Sequence, residues 1–206
     1  AEAVVERLDI KQSLYQRLNE SCKEATIITS NTSTIPISLL TKGMPKKFCE
    51  RFAITHFFNP VRFMRLLELV RGEFTRDDVI NTLDLFSETM LGKGVVSCSD
   101  TPGFLANRVG VFAIQCALHK AFEYKLSPTE ADAFFGRPLG LPKTGVFGIY
   151  DLIGIDLMAD VVKSLVSILP ENDVFHKYSS PLEILTTLND KAQHRNEKET
   201  GAAKKI

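Results

Sequence analysis

The chain has 206 residues, 44% of them apolar, which is enough for one large or two small domains and excludes a mainly disordered protein. Its 25 basic and 25 acidic residues cancel, and no apolar run reaches the length of a membrane helix, so neither nucleic acid nor a membrane is indicated as a partner. The four cysteines form no C-x-x-C pair and no leader peptide is recognisable, a combination that argues against zinc and favours a reducing, cytoplasmic location.

The first residues predict a helix. Val4, Leu8, Tyr15 and Leu18 recur at helical spacing with charged residues between them, and no N-cap residue precedes them. We therefore expect the chain to begin inside a helix, as a fragment or the second half of a domain would.

Short apolar strands alternate with helices up to about residue 100. The predicted strands are "ATIITSN", residues 52–56, residues 66–70 and residues 94–98. Thr75 is the predicted cap of a helix that ends at Gly92, with an apolar stripe of Val79, Leu83, Phe86 and Met90. This alternation favours an α/β layer with a largely parallel sheet.

Only helices are predicted beyond residue 100. Thr101 and Pro102 are typical of an N-cap and a first helical turn, and "SPTE" (127–130) is typical of a capping box. Further helices are expected over residues 147–169 and 181–189. We therefore predict an α/β domain over residues 1–100, a helical domain over residues 101–190 and a polar, frayed or disordered tail over residues 191–206.

Glu68 is the first candidate for chemistry. The strand 66–70 has apolar residues on both faces, so the carboxylate lies on an apolar surface and needs a partner. Arg62 or Arg65 would make a structural salt bridge with it, whereas His56 would make a pair able to transfer a proton. The sequence leaves both alternatives open.

His56 ends the apolar stretch "RFAITHFFNP". A histidine beside phenylalanines is commonly a core residue, but the ends of strands in α/β sheets are also where ligands bind. Asn59 and Pro60 follow and force the chain to leave the sheet, although Asn59 is also an ordinary turn residue.

Other polar side chains occupy comparable positions. Asn31 and Ser33 follow the first strand, where they either shape a turn or face a ligand. Asn107 falls on the same predicted helix stripe as Val111 and Leu118, so its amide needs a backbone or a ligand oxygen as partner. No G-x-G-x-x-G phosphate-binding loop occurs in the sequence.

Several separated motifs together resemble the 3-hydroxyacyl-CoA dehydrogenases. They are "SNTSTI", "HFFNPV" with a glutamate twelve positions after its histidine, and "DTPGFLANRV", in the family's order from about residue 2 to about residue 178. The segment "GRPLGLPKTGVFG" resembles the long bacterial forms that are fused to an enoyl-CoA hydratase. The resemblance implies an α/β partial Rossmann domain followed by an all-helical C-terminal domain.

The resemblance also implies roles for individual residues. His56 would be the general base that takes the proton of the substrate 3-hydroxyl group, and Glu68 would orient it. Ser33 and Asn107 would bind the reacting oxygen of the substrate. The residues implied to contact the NAD cofactor are Glu6, Lys11, Ser33 and Asn59.

The implied reaction is the NAD-dependent oxidation of 3-hydroxyacyl-CoA to 3-oxoacyl-CoA in fatty acid β-oxidation, in a homodimer held together by the helical domain. Family members begin with a strand, a glycine-rich turn and a helix that bind the ADP half of NAD, and these are missing here. We therefore expect a truncated portion of the enzyme, with an exposed sheet edge and weak activity alone. The alternative is a catalytically silent interaction or dimerisation fragment.

Overall fold

The computed structural model describes residues 1–140 and 143–179 of the chain. The polypeptide divides into two compact units, the second of which begins at Val109. The first unit is an α/β layer, and the regular elements of the second are helices throughout its described residues. The predicted order, α/β followed by helical, is confirmed.

A four-stranded sheet forms the centre of the first unit, with its strands in chain order across the sheet. The strands are β1 (Ile28–Ser30), β2 (Phe52–Phe57), β3 (Leu66–Arg71) and β4 (Gly94–Cys98). Strand β2 is buried from Phe52 to His56, which fits a central strand covered on both faces.

The strand directions differ from the prediction at the centre of the sheet. Strands β1 and β2 pair in parallel, as do β3 and β4, but β2 and β3 are antiparallel. The expectation of a largely parallel sheet therefore holds for two of the three strand pairings and fails at the central one. The connection over residues 58–65 contains no helix and is too short for the crossover that a parallel return requires. As a result, His56 lies directly opposite Glu68 in the ladder.

The start of the chain also differs from the prediction. The first helix begins at Leu8, not within the first residues, and Glu2 instead forms an isolated parallel bridge with Ser30. The Glu2 amide donates to the Thr29 carbonyl over 2.8 Å, and the Glu2 carbonyl accepts from the Asn31 amide over 2.9 Å. The outer edge of β1 thus pairs with residues that the apolar spacing assigned to a helix.

Four helices belong to the first unit. They are α1 (Leu8–Ser21), α2 (Ile37–Leu40), α3 (Lys46–Cys49) and α4 (Asp77–Thr89). Tyr15 of α1 packs with Phe48 and Phe52 in a fully buried aromatic cluster whose ring centroids are 5.1 to 5.9 Å apart. Each aromatic pair contributes about 0.5–1.5 kcal/mol beyond area burial, so this cluster anchors α1 and α3 to β2.

Helix α4 differs from the prediction in its cap and in its apolar stripe. Its N-cap is Arg76, because the Thr75 hydroxyl donates to the Phe52 carbonyl over 2.7 Å and accepts from the Gly72 amide. Val79 is buried, but Phe86 and Met90 are exposed. The buried face of the helix therefore continues through Ser87, and the predicted stripe is wrong at its C-terminal end.

The described residues of the second unit contain four α-helices and two short 3-10 helices. The α-helices are α5 (Ala106–Glu123), which starts in the first unit, α6 (Pro128–Phe134), α7 (Gly145–Ile153) and α8 (Ile155–Ile168), and the 3-10 helices are Arg137–Leu139 and Val174–Tyr178. The predicted Ser127–Glu130 capping box is confirmed. Gly154 has φ +97° and divides the predicted helix 147–169 into α7 and α8.

Helix α5 starts later than predicted. Thr101 and Pro102 belong to a turn closed by the Phe104 amide and the Thr101 carbonyl, and the helix begins at Ala106. The predicted N-cap at Thr101 is therefore wrong. The predicted helix over residues 181–189 and the polar tail lie outside the described residues. Among the described helices, none has the length and apolar character needed to cross a membrane.

Candidate active site

His56 and Glu68 form a buried pair between neighbouring strands. Nδ1 of His56 lies 2.6 Å from Oε2 of Glu68, and the two side chains are 5% and 1% exposed. The antiparallel ladder explains the contact, because residues directly opposite each other project from the same face of the sheet. Of the two alternatives left open, the structure shows the pairing of Glu68 with His56, whereas Arg62 and Arg65 are exposed and do not contact this carboxylate.

The other oxygen of Glu68 binds the beginning of helix α5. Oε1 accepts hydrogen bonds from the amides of Leu105, over 3.0 Å, and Ala106, over 2.7 Å. Glu68 therefore satisfies two amides at the start of the helix, the task that the sequence assigned to Thr101. The Cys98 thiol also donates to Oε1 over 3.7 Å.

These contacts favour the ionised form of Glu68. Burial raises its pKa, but the hydrogen bonds from His56 and from the Ala106 amide outweigh burial, and the pKa lies below the ordinary value of 4.5. Burial and the nearby Glu68 carboxylate raise the pKa of the Cys98 thiol to about 11, so this thiol is a donor near neutrality. The pair thus contains a fixed anion next to an imidazole.

The imidazole is enclosed by aromatic rings. Its centroid lies 4.5 Å from that of Phe58 and 5.8 Å from that of Phe104. Nδ1 is held by Glu68, while Nε2 makes no hydrogen bond to any described residue. A neutral imidazole with Nδ1 protonated presents the lone pair of Nε2 as its free base.

The other predicted substrate residues lie close together in the first unit. The Asn107 side-chain amide donates to the Ser33 carbonyl over 3.3 Å, so the two residues are in contact. The Asn31 side chain accepts from the Phe57 amide over 2.8 Å, which fixes the end of β1 to the end of β2. The Ser33 hydroxyl has no hydrogen-bond partner among residues 1–140 and 143–179.

Three of the predicted cofactor residues share one network. Lys11 is 1% exposed, and its Nζ lies 3.3 Å from Oε2 of Glu6. Oε1 of Glu6 accepts from the Thr32 hydroxyl and from the Ser33 amide, the latter over 3.0 Å. Glu6 therefore holds the turn that carries Ser33, and its side chain is 39% exposed.

Glu2 belongs to the same network through its contact with Lys11. Its carboxylate lies 3.1 Å from Nζ of Lys11 and accepts from the hydroxyls of Tyr15 and Ser30. Burial raises the pKa of Glu2, but the hydrogen bonds from Ser30 and Tyr15 outweigh it and lower the pKa below 4.5. Burial and the Glu2 hydrogen bond raise the pKa of Tyr15. The Lys11 ammonium is thus surrounded by oxygens of Glu2, Val4 and Glu6.

Asn59 is the one predicted site residue that the structure leaves outside both groups. It is exposed, three residues beyond His56, and makes no hydrogen bond within the part of the chain that the structure describes. Its position at the end of β2 leaves its amide accessible to a ligand.

The sequence reasoning missed Glu2, Tyr15 and the Leu105 and Ala106 amides. A buried role for Glu2 was hidden by its assignment to a helix. The amides were hidden by the predicted N-cap at Thr101, although Pro102 and Gly103 together are a turn signal.

The fold and the site together define the class of protein. A Rossmann-type sheet with a carboxylate-held imidazole at a strand end, followed by helices, is compatible with the class of nicotinamide-binding proteins. Residues 1–101 match the family model for the 3-hydroxyacyl-CoA dehydrogenase NAD binding domain, and residues 103–205 match that for the C-terminal domain. The chain belongs to the 3-hydroxyacyl-CoA dehydrogenase family, and the predicted fold class and NAD as cofactor are confirmed.

Relatives with known names support this membership. The chain is 47% identical over 176 residues to the "Putative fatty acid oxidation complex trifunctional enzyme" of Rickettsia prowazekii, covering 85% of this chain and 24% of that protein. It is 38% identical to the "Probable 3-hydroxyacyl-CoA dehydrogenase" of Deinococcus radiodurans, covering 84% of this chain and 50% of that protein. The chain therefore spans about a quarter of the length of the Rickettsia protein and half of the length of the Deinococcus protein.

A solved structure agrees with the fold. The crystal structure of (S)-3-hydroxybutyryl-CoA dehydrogenase PaaH1 from Ralstonia eutropha superposes with a TM-score of 0.80 at 30% identity. The match covers 93% of this chain and 64% of that one.

Proposed function

We propose that this chain supplies the proton-transfer site of an enzyme that oxidises 3-hydroxyacyl-CoA to 3-oxoacyl-CoA with NAD in fatty acid β-oxidation. The observation that carries the proposal is the His56 ring, whose Nδ1 is held by Glu68 and whose Nε2 has no described partner. Family membership supports the reaction class. The free thiols of all four cysteines support the proposed cytoplasmic location.

His56 is the proposed general base. When bound, NAD supplies the acceptor for the hydride that leaves the carbinol carbon. Nε2 of His56 takes the proton of the 3-hydroxyl group, and the imidazolium so formed is stabilised by the Glu68 carboxylate 2.6 Å from Nδ1. In the reverse direction the imidazolium returns this proton to the 3-oxo oxygen.

Glu68 is the proposed orienting partner of the base. Its low pKa keeps it ionised, so the proton stays on the imidazole during transfer. The Leu105 and Ala106 amides stabilise the same anion and so help to keep Glu68 ionised beside the imidazole.

Ser33 and Asn107 are the proposed ligands of the reacting oxygen. The Ser33 hydroxyl lacks a described protein partner, and the Asn107 amide uses one hydrogen on the Ser33 carbonyl, which leaves its second hydrogen for a ligand. Donors of this kind stabilise charge that develops on a carbonyl oxygen.

The residues proposed to hold NAD differ in how accessible they are to a ligand. Glu6 is 39% exposed and Asn59 is exposed, so a carboxylate and an amide are available for the hydroxyl and amide groups of the cofactor, and Ser33 adds a hydroxyl. Lys11 is 1% exposed and surrounded by Glu2 and Glu6, so we assign it to the support of Glu6. Family members bind NAD through this domain, and the exposed groups of this chain are compatible with that.

The test is the rate of NADH oxidation by acetoacetyl-CoA in the protein that contains this chain. His56→Gln removes the base and should lower turnover by about 10²–10⁴-fold while the circular dichroism spectrum stays unchanged. His119→Gln is the matched control, because His119 bonds the Tyr178 carbonyl in the second unit and should keep native turnover. Unchanged turnover in His56→Gln would contradict the proposal and favour the silent interaction fragment.

A homodimer through the helical domain is also proposed. The described residues of the second unit expose large apolar side chains, including Leu139, Leu152 and Leu157, which are 61%, 76% and 56% exposed. Light scattering should give a dimer for the native chain and a monomer for a Leu152→Glu, Leu157→Glu variant. Lys163→Glu is the control. A native monomer would contradict this assembly.

A further inference from the structure

We propose that Phe104 is a positioning residue for the His56–Glu68 pair, acting through both its backbone and its ring. The inference rests on the proposed function, because it assigns Phe104 a task in holding the proton-transfer pair. Phe104 has φ +50°, and it is one of two residues other than glycine with positive φ in the described chain; the second is Lys125, with φ +54°.

The backbone of Phe104 directs two amides at Glu68. Gly103, with φ +72°, and Phe104 are consecutive left-handed residues in the turn that the Phe104 amide and the Thr101 carbonyl close before helix α5. The next two amides, those of Leu105 and Ala106, are the ones that donate to Oε1 of Glu68. A left-handed conformation is unfavourable for a side chain with a Cβ atom, so the surrounding contacts must hold it.

The ring of Phe104 supplies that holding contact. Phe104 is 4% exposed and packs in the buried core of the first unit with Ile28, Ile54 and Val70. The same ring lies 5.8 Å from the His56 imidazole at an interplanar angle of 58°. Core packing thus fixes the turn. The amides that follow the turn hold Glu68, and the ring of Phe104 lies beside His56.

This arrangement explains why Glu68 can be buried and ionised. The Leu105 and Ala106 amides stabilise the carboxylate from one side and His56 from the other, and the buried Phe104 ring, 5.8 Å from the imidazole, helps to shield the pair from water. A glycine at position 104 would keep the turn but lose the shield, whereas an alanine would lose the shield and disfavour the turn.

The test measures hydrogen exchange by nuclear magnetic resonance in the full chain, which requires no turnover. Phe104→Gly and Phe104→Ala form the matched pair, and Lys125→Gly and Lys125→Ala repeat the same change at the exposed left-handed residue of the second unit. The readouts are the exchange rates of the His56 Nδ1 proton and of the Leu105 and Ala106 amides.

We expect the Nδ1 proton to exchange at least about tenfold faster in both Phe104 variants and at the native rate in both Lys125 variants. The two amides should exchange at least about tenfold faster in Phe104→Ala than in Phe104→Gly. Should Phe104→Ala fail to fold, Phe104→Val takes its place for the amides, because valine keeps an apolar side chain in the core but, being β-branched, disfavours the left-handed backbone more strongly than phenylalanine. The inference would be overturned if the His56 Nδ1 proton exchanged at the native rate in Phe104→Gly. It would also be overturned if the Leu105 and Ala106 amides exchanged at equal rates in Phe104→Gly and in Phe104→Ala or its replacement.

Failure of the inference and failure of the proposed function are distinguishable. Unchanged exchange in the Phe104 variants together with loss of turnover in His56→Gln would remove the role of Phe104 and leave the base assignment intact. Faster exchange with native turnover in His56→Gln would leave the positioning role and remove the proposed chemistry.

Discussion

The first unit holds two buried carboxylates, and they differ in the partner that faces them. Glu68 pairs with His56, whereas Glu2 pairs with Lys11 and accepts from Tyr15 and Ser30. An imidazole gains and loses a proton near neutrality, but a lysine ammonium is a fixed charge there. Two similar clusters can therefore have different tasks, one in the proposed proton transfer and the other in holding the Ser33 turn through Glu6.

The hydrogen bonds of the neighbouring groups support the same distinction. Every polar group of the Glu2 cluster is used within the protein, because the Lys11 ammonium contacts Glu2, Glu6 and the Val4 carbonyl. In the Glu68 cluster, Nε2 of the imidazole has no partner in the described residues. A fully satisfied cluster rigidifies a fold, whereas one with an open basic atom can act on a ligand.

The largest expected effect on stability comes from removing the fixed cation. Lys11→Met leaves Glu2 buried without a counter-charge and should lower the free energy of unfolding by about 3–5 kcal/mol, measured by urea denaturation. Lys47→Met, which removes an exposed ion pair with Glu24, is the control and should leave the unfolding curve unchanged. Equal stability of Lys11→Met and the native chain would show that the Glu2 cluster is not a structural support.

The acid side of the pH profile gives a smaller effect that both clusters share. Glu2 and Glu68 have folded-state pKa values below 4.5, their ordinary value, so their contribution to stability is complete above about pH 4.5 and is lost as the pH falls through the lower folded values. Urea denaturation should therefore give a free energy of unfolding that decreases from about pH 4.5 towards about pH 3. Glu2→Gln and Glu68→Gln should each flatten this decrease. A native stability independent of pH over this range would contradict the lowered pKa values.

The core of the candidate site could be predicted from the sequence because it depends on local patterns. Short apolar runs between predicted helices located strands β2, β3 and β4. A carboxylate in such an apolar strand requires a partner wherever the strand packs. The distance of twelve residues between His56 and Glu68 fits two neighbouring strands joined by a short connection. The catalytic roles of these residues stay predictions.

The rest depended on contacts that local patterns do not contain. Helical spacing of Val4 and Leu8 could not show that Glu2 pairs with Ser30 on the sheet edge. Thr101 and Pro102 carried a helix-start signal, but the left-handed backbone at Phe104 delayed the helix to Ala106. In both places tertiary hydrogen bonds outweighed a local propensity.

A double-mutant cycle on turnover tests most directly whether His56 and Glu68 act as one proton-transfer unit. Native protein, His56→Gln, Glu68→Gln and the double variant would be compared in NADH oxidation by acetoacetyl-CoA. Because Glu68 acts through the imidazole, we predict that the double variant and His56→Gln turn over within about threefold of each other. Losses from the two single variants that multiply in the double variant would contradict the account.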